Sequence, residues 1–110
     1  MSEVQWSGTV TSVPTFFRGS RTRAIHEQFD VRRDDGATFR VIDNVDIAPR
    51  VPVVPGDRIT VHGELVHDAH RRPIVHWTHH DPRGRHESGW IERAGQRYGR
   101  TSLVRASSTA

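Results

Sequence analysis

Apolar and polar residues alternate with a period of two along most of this chain, and no stretch carries the apolar repeat of a helix of normal length. Side chains on an extended strand point alternately to opposite faces, so this pattern specifies a sheet with one buried and one wet face. Val4, Trp6, Gly8 and Val10 alternate with Gln5, Ser7 and Thr9, which predicts a first strand over about residues 4–13. Gly8 sits where a bulge or a close backbone approach would bend it. Ile25, Phe29 and Val31 share a face opposite His26, Gln28 and Asp30, giving a second strand. Asp34, Asp35 and Gly36 supply a hairpin turn, and residues 37–42 run back as the third. After Pro55-Gly56-Asp57, the run Ile59, Val61, Gly63, Leu65 marks a fourth strand. A polar turn at 68–72 then leads to a fifth over about 73–79.

The connections are as informative as the strands. Residues 14–24 contain Pro, Gly and the arginines Arg18, Arg21 and Arg23, and read as a basic, irregular connection. Asp43 and Asp46 act as turn signals before Pro49, Pro52 and Pro55. Pro49 disfavours helix at Ala48, so at most one short turn fits near Val45 to Ile47, with Asp46 available to cap it and Arg50 to pair with Asp46 or Asp81. Asp81-Pro82-Arg83-Gly84 fits a type I turn, after which the chain leaves the sheet. Trp90, Ile91 and Tyr98 are suited to fold back on the strands, whereas residues 101–110 form a small, polar, flexible tail. The expectation is an all-β fold, a small five-stranded OB-like barrel with a C-terminal extension, spanning residues 1–100 as one domain. VPGDRITVHGEL is similar to the fourth strand of many OB domains, and such barrels bind ligands across strands two and three and the flanking loops.

A chain of 110 residues can bury one core without staples, and none is available from disulfides because cysteine is absent. Cysteine-rich zinc sites and thiol nucleophiles are excluded for the same reason. No basic start followed by an apolar run opens the chain, and no stretch approaches the roughly 20 apolar residues of a membrane span, so a cytoplasmic protein without membrane contact is expected. The net charge of +3 is uneven. Residues 1–68 carry 8 Arg against 10 acidic residues, and residues 69–110 carry 8 Arg against 3. A basic half attracts phosphate and other polyanions. Every basic residue is Arg, a bias that a GC-rich genome also produces.

The segment His76 to Trp90, HWTHHDPRGRHESGW, holds four of the eight histidines together with two arginines and two tryptophans. Imidazole titrates near neutrality and ligates metals, guanidinium forks onto phosphate, and indole offers a stacking face. Three chemistries follow. As a binder of an anionic ligand such as single-stranded nucleic acid or a nucleotide, the chain would use His26, Arg50, His76, Trp77, Arg83 and Arg85, with Phe16, Phe17, Trp90, Arg18, Arg21 and Arg23 in reserve. As a small hydrolase of the phosphodiesterase or nuclease type, it would use His79, His80 and His86 as acid and base, with Arg50, Arg83 and Arg85 holding phosphate oxygens. A metal-dependent form would draw on His76, His80 and His86, because residues four apart on a strand share a face and the turn at Asp81 can return His86. No cofactor is required by the fold, and a divalent metal is the one candidate.

Read in order, GTV near the start, IHEQF, DNVDIAPRVPVVPGD and VHWTHHDPRGRHESGW followed by Gly and Tyr98 resemble DUF3465, a family of small bacterial proteins of unknown function. The resemblance covers roughly residues 7–99. The family pattern has His-Gln-Arg-Phe where this chain has His26-Glu27-Gln28-Phe29, and a histidine where Asp43 stands. Many relatives carry an export signal that is not found here.

Overall fold

The computed structural model describes residues 2–20, 23–67, 72–76, 78 and 89–99. Among them are eight strands and no helix: β1 (Ser2–Val10), β2 (Thr15–Arg18), β3 (Ile25–Arg33), β4 (Thr38–Asn44), β5 (Arg58–Val66), β6 (Ile74–His76), β7 (Trp90–Arg93) and β8 (Gln96–Tyr98). Five of them close a barrel in the order β1-β3-β4-β6-β5, with β5 returning to β1. β4 and β6 run parallel and the other pairings are antiparallel. This is a small OB-like barrel with three further strands.

Closure depends on β1 serving two neighbours. Its first residues pair with β5 from Ser2↔Leu65 onward, its last with β3 through Val10↔Val31, and Gly8 lies opposite both Arg33 and Ile59. A β-carbon at Gly8 would collide with the Arg32 carbonyl and the Val31 side chain, so the bend needs glycine. Two other strands divide an edge in the same way. β3 gives residues 31–33 to β1 and residues 25–28 to β2, while β5 gives residues 64–66 to β6 and residues 59–62 to β7.

The inward faces meet in an aliphatic and aromatic core: Val10, Phe29 and Val31, Phe39 and Val41, Ile59 and Val61, Val75 and Ile91, closed by Val51 and Val53 from the long β4–β5 connection. Trp6 packs edge-on against Phe39 with ring centroids 5.1 Å apart. Ile91 is fully buried, so the C-terminal extension belongs to the core, and it folds back as the β7–β8 hairpin. Arg93 fixes it further by bonding Asp57 at 2.8 Å.

Four expectations are corrected. The basic connection 14–24 contains strand β2, because Thr15–Arg18 finds the edge of β3 that β1 leaves open. β1 stops at Val10 and not at residue 13, although Thr11 N–H still donates in register to the Asp30 carbonyl. Asp43 is a strand residue and not a turn signal, because it continues the inward phase of Phe39 and Val41. The short turn at Val45–Ile47 forms, but the Asn44 side chain accepts from Asp46 N–H at 3.0 Å, while Asp46 accepts from Ile25 N–H at 3.2 Å. In the β3–β4 hairpin only Gly36 takes a positive φ, at 88°.

Gly8→Ala is expected to destabilise the barrel by about 1–3 kcal/mol, the usual range for forcing an extra carbon into a packed site. Urea unfolding followed by tryptophan fluorescence measures it, and an unchanged midpoint would show that β1 bends without glycine.

Candidate functional site

Two rows of side chains cross β2, β3 and β4. Residues directly opposed in an antiparallel ladder share a face. Phe16, Glu27 and Asp43 therefore form one row, and Phe17, His26 and Asn44 the other. The first row is in phase with the core: Glu27 follows Ile25 and precedes Phe29 and Val31, and Asp43 follows Phe39 and Val41. Both carboxylates are 0% exposed. Phe16 escapes burial because β2 lies outside the closed barrel, and it is 43% exposed.

Two carboxylates without solvent need compensation, and they receive only part of it. One oxygen of Glu27 accepts from Val51 N–H at 3.0 Å. One oxygen of Asp43 lies 3.5 Å from the hydroxyl of Thr78, which also donates to the Ile42 carbonyl at 3.2 Å. Glu27 Oε2 and Asp43 Oδ2 are buried without a hydrogen-bond partner. Burial, reinforced by the negative charge of Glu27, lifts Asp43 from its ordinary 3.8 to about 8, with Thr78 pulling the other way. Burial also raises Glu27, opposed by the Val51 N–H and the Arg50 charge.

The second row faces outward. Phe17 is 37% exposed and stacks on His26, with centroids 5.3 Å apart and planes 17° from parallel. The His26 Nδ1 lies 3.0 Å from the Ala24 carbonyl, which orients the ring. Arg50 places its guanidinium 4.9 Å from the centre of Phe16 and not against Asp46, while Asp81, the other partner expected for it, lies outside the described residues. Arg18 donates to the Arg23 carbonyl at 2.6 Å, closing the loop beyond β2. On β3 and β4, Asp30 bonds Arg40 at 3.0 Å and Arg72 at 2.7 Å. These guanidinium bonds outweigh burial and hold its pKa below the carboxylate range.

A third row lies on β1, β5 and β6, where Glu3 opposes Glu64 and Glu64 opposes His76. His62 Nε2 is 3.5 Å from Glu3, and the His62 ring stacks on Trp90 at 5.7 Å. Trp90 also carries the Arg97 guanidinium 3.9 Å from its centre, so it is a clasp for the C-terminal hairpin and not an open stacking face.

Of the residues proposed from sequence, the structure puts His26 against Phe17 and Arg50 against Phe16, on the two faces of β2, and His76 beside Glu64 on the far side of β4. Trp77, His79, His80, Arg83, Arg85, His86 and Arg21 lie outside the described residues. The metal trio His76, His80, His86 is thus represented by His76 alone. Among the described residues no three or more histidines and carboxylates converge as a metal set. Sequence reasoning passed over Glu27, Asp43, Glu64 and Thr78. Glu27 was legible: it occupies the one polar position on the face defined by Ile25, Phe29 and Val31.

A carboxyl group whose folded pKa is raised binds more protons folded than unfolded, so stability falls as pH rises. For Asp43 the favourable contribution is complete below about pH 3.8 and is lost as pH climbs to about 8. The slope is at most about 1.4 kcal/mol per pH unit. Asp43→Asn should flatten the profile and stabilise the protein most at pH 8, as read by thermal unfolding between pH 5 and 9. A native profile already flat over that range would mean that the pair does not titrate there.

No curated protein and no solved structure matches the chain. Residues 1–99 match the family described as protein of unknown function (DUF3465), and the chain belongs to that family.

Proposed function

We propose that this barrel binds an anionic ligand, single-stranded nucleic acid or a nucleotide, on the surface formed by β2 and β3. The observation that carries the reading is that β2 exposes an aromatic ring on each of its faces, Phe17 stacked on His26 on the outer face and Phe16 under the Arg50 guanidinium on the other. Bases stack on such rings regardless of sequence, and guanidinium groups follow the phosphates. The location supports it too, since OB barrels bind across the strands that correspond to β3 and β4 and the loops beside them. Among the described residues Arg50 has no carboxylate ion pair, unlike Arg40, Arg58, Arg72 and Arg93.

Fluorescence anisotropy with short DNA and RNA oligonucleotides and with mononucleotides tests this. Phe17→Ala should weaken binding by about 1–3 kcal/mol, roughly 5- to 150-fold in Kd. Arg50→Ala should reduce the slope of log affinity against log salt by about one phosphate's worth. Failure to bind any of these ligands at low salt would dispose of the reading.

A second reading, phosphodiester hydrolysis by His79, His80 and His86, is favoured by one observation. Thr78, inside the histidine-rich run, is bonded to the end of β4 beside the buried carboxylate Asp43. Two histidines acting as base and acid would give a bell-shaped rate profile, and His79→Ala, His80→Ala or His86→Ala would each cost about 10²–10⁴-fold. Assays on nucleic acids and small phosphodiesters, with and without divalent metal, decide it; absence of turnover throughout would remove it.

A further inference from the structure

We infer that Glu27 and Asp43 together hold one divalent cation of the hard, oxygen-seeking class, such as Mg²⁺ or Mn²⁺, at the inner end of the barrel. The two residues oppose each other directly across β3 and β4. That register puts their β-carbons about 4.5–5.5 Å apart, so one oxygen from each can converge on a point between them. Each has one oxygen engaged, Glu27 by the Val51 N–H and Asp43 by the Thr78 hydroxyl. The other oxygen of each, Oε2 and Oδ2, is buried and has no partner. Within one pair of residues, therefore, the held oxygens orient the carboxylates and the remaining two are left for a ligand.

Charge decides what that ligand is. When both are ionised the buried carboxylates carry two negative charges, a state their burial disfavours, and Arg50 acts on Glu27 only through its field while its guanidinium sits over Phe16. A divalent cation balances the pair completely and satisfies both open oxygens at once. A proton shared between them also bridges both oxygens but leaves one negative charge buried. An all-oxygen donor set of two carboxylates favours magnesium or manganese over the softer metals, and magnesium is commonly held by one or two carboxylates with its remaining positions on other oxygens. The Thr78 hydroxyl, 3.5 Å from Asp43, is a further oxygen donor beside the pair. Phe16 stands beside Glu27 in the same row, whereas the Phe17–His26 stack faces the other way, and the cation site requires no ligand on either ring.

The test uses the full chain after chelator treatment, in metal-free buffer near neutral pH. Mn²⁺ is titrated and free Mn²⁺ followed by electron paramagnetic resonance, alongside thermal unfolding in Mg²⁺, Mn²⁺, Ca²⁺ and Zn²⁺. One Mn²⁺ per chain should bind, with a rise in melting temperature. Loss of a group that merely supports a metal ligand costs about 10–100-fold, so Asp43→Asn and Glu27→Gln should each weaken Mn²⁺ binding at least about tenfold. Circular dichroism of both variants confirms the barrel, and the two give independent readings should one fail to fold. Glu64→Gln, in the outer row of Glu3 and His76, should leave binding unchanged. Absence of Mn²⁺ and Mg²⁺ binding by the native chain would overturn the inference and leave the pair as a proton site. So would binding lost in Glu64→Gln but retained in Asp43→Asn, which would move the metal to the outer face.

Discussion

The barrel closes because one strand pairs along two directions, and that depends on the absence of a side chain at Gly8. There the backbone of β1 crosses close enough to β3 that the Arg32 carbonyl occupies the space of a β-carbon. Everything downstream follows from this bend. Turning β1 away from β3 leaves the first half of β3 without a neighbour on that side, and β2 fills the gap. The exposed aromatics Phe16 and Phe17 are thus carried on a strand that exists because β1 turned away.

The same geometry explains why the carboxylate pair lies back to back with the Phe17–His26 stack, while Phe16 stays in the carboxylates' own row. Across β2, β3 and β4 the residues alternate between faces, so adjacent positions 16 and 17, 26 and 27, and 43 and 44 divide into an inner and an outer row. Glu27 is joined to the β4–β5 connection through Val51, and Arg50, the preceding residue, reaches the ring of Phe16. Residues 50 and 51 therefore touch both the buried acid and the exposed ring.

Much of this was legible in the sequence. Period-two alternation located the barrel strands within a few residues because one buried face fixes the phase of each. Gly8 announced the bend, and Trp90, Ile91 and Tyr98 announced the return of the C-terminal segment. β2 was not legible: TFFR carries no alternation, and its strand state is imposed by the open edge of β3. Asp43 misled because aspartate before asparagine resembles a turn, whereas its inward phase with Phe39 and Val41 is what governs it. The reading of His26 and Arg50 as surface ligands is compatible with where they stand. The dense run at 76–90 gave chemistry without geometry, since residue types do not reveal which rings converge.

The divided edge of β5 has a consequence for solubility. β6 covers residues 64–66 and β7 covers residues 59–62, so the β7–β8 hairpin is what occupies the first half of that edge. An uncovered strand edge with Ile59 and Val61 beneath it is a template for pairing with another chain. The C-terminal hairpin, clamped by Ile91 in the core and by Arg93 on Asp57, acts as a guard against association between copies. Displacing this hairpin would uncover residues 59–62 of β5 as a pairing edge.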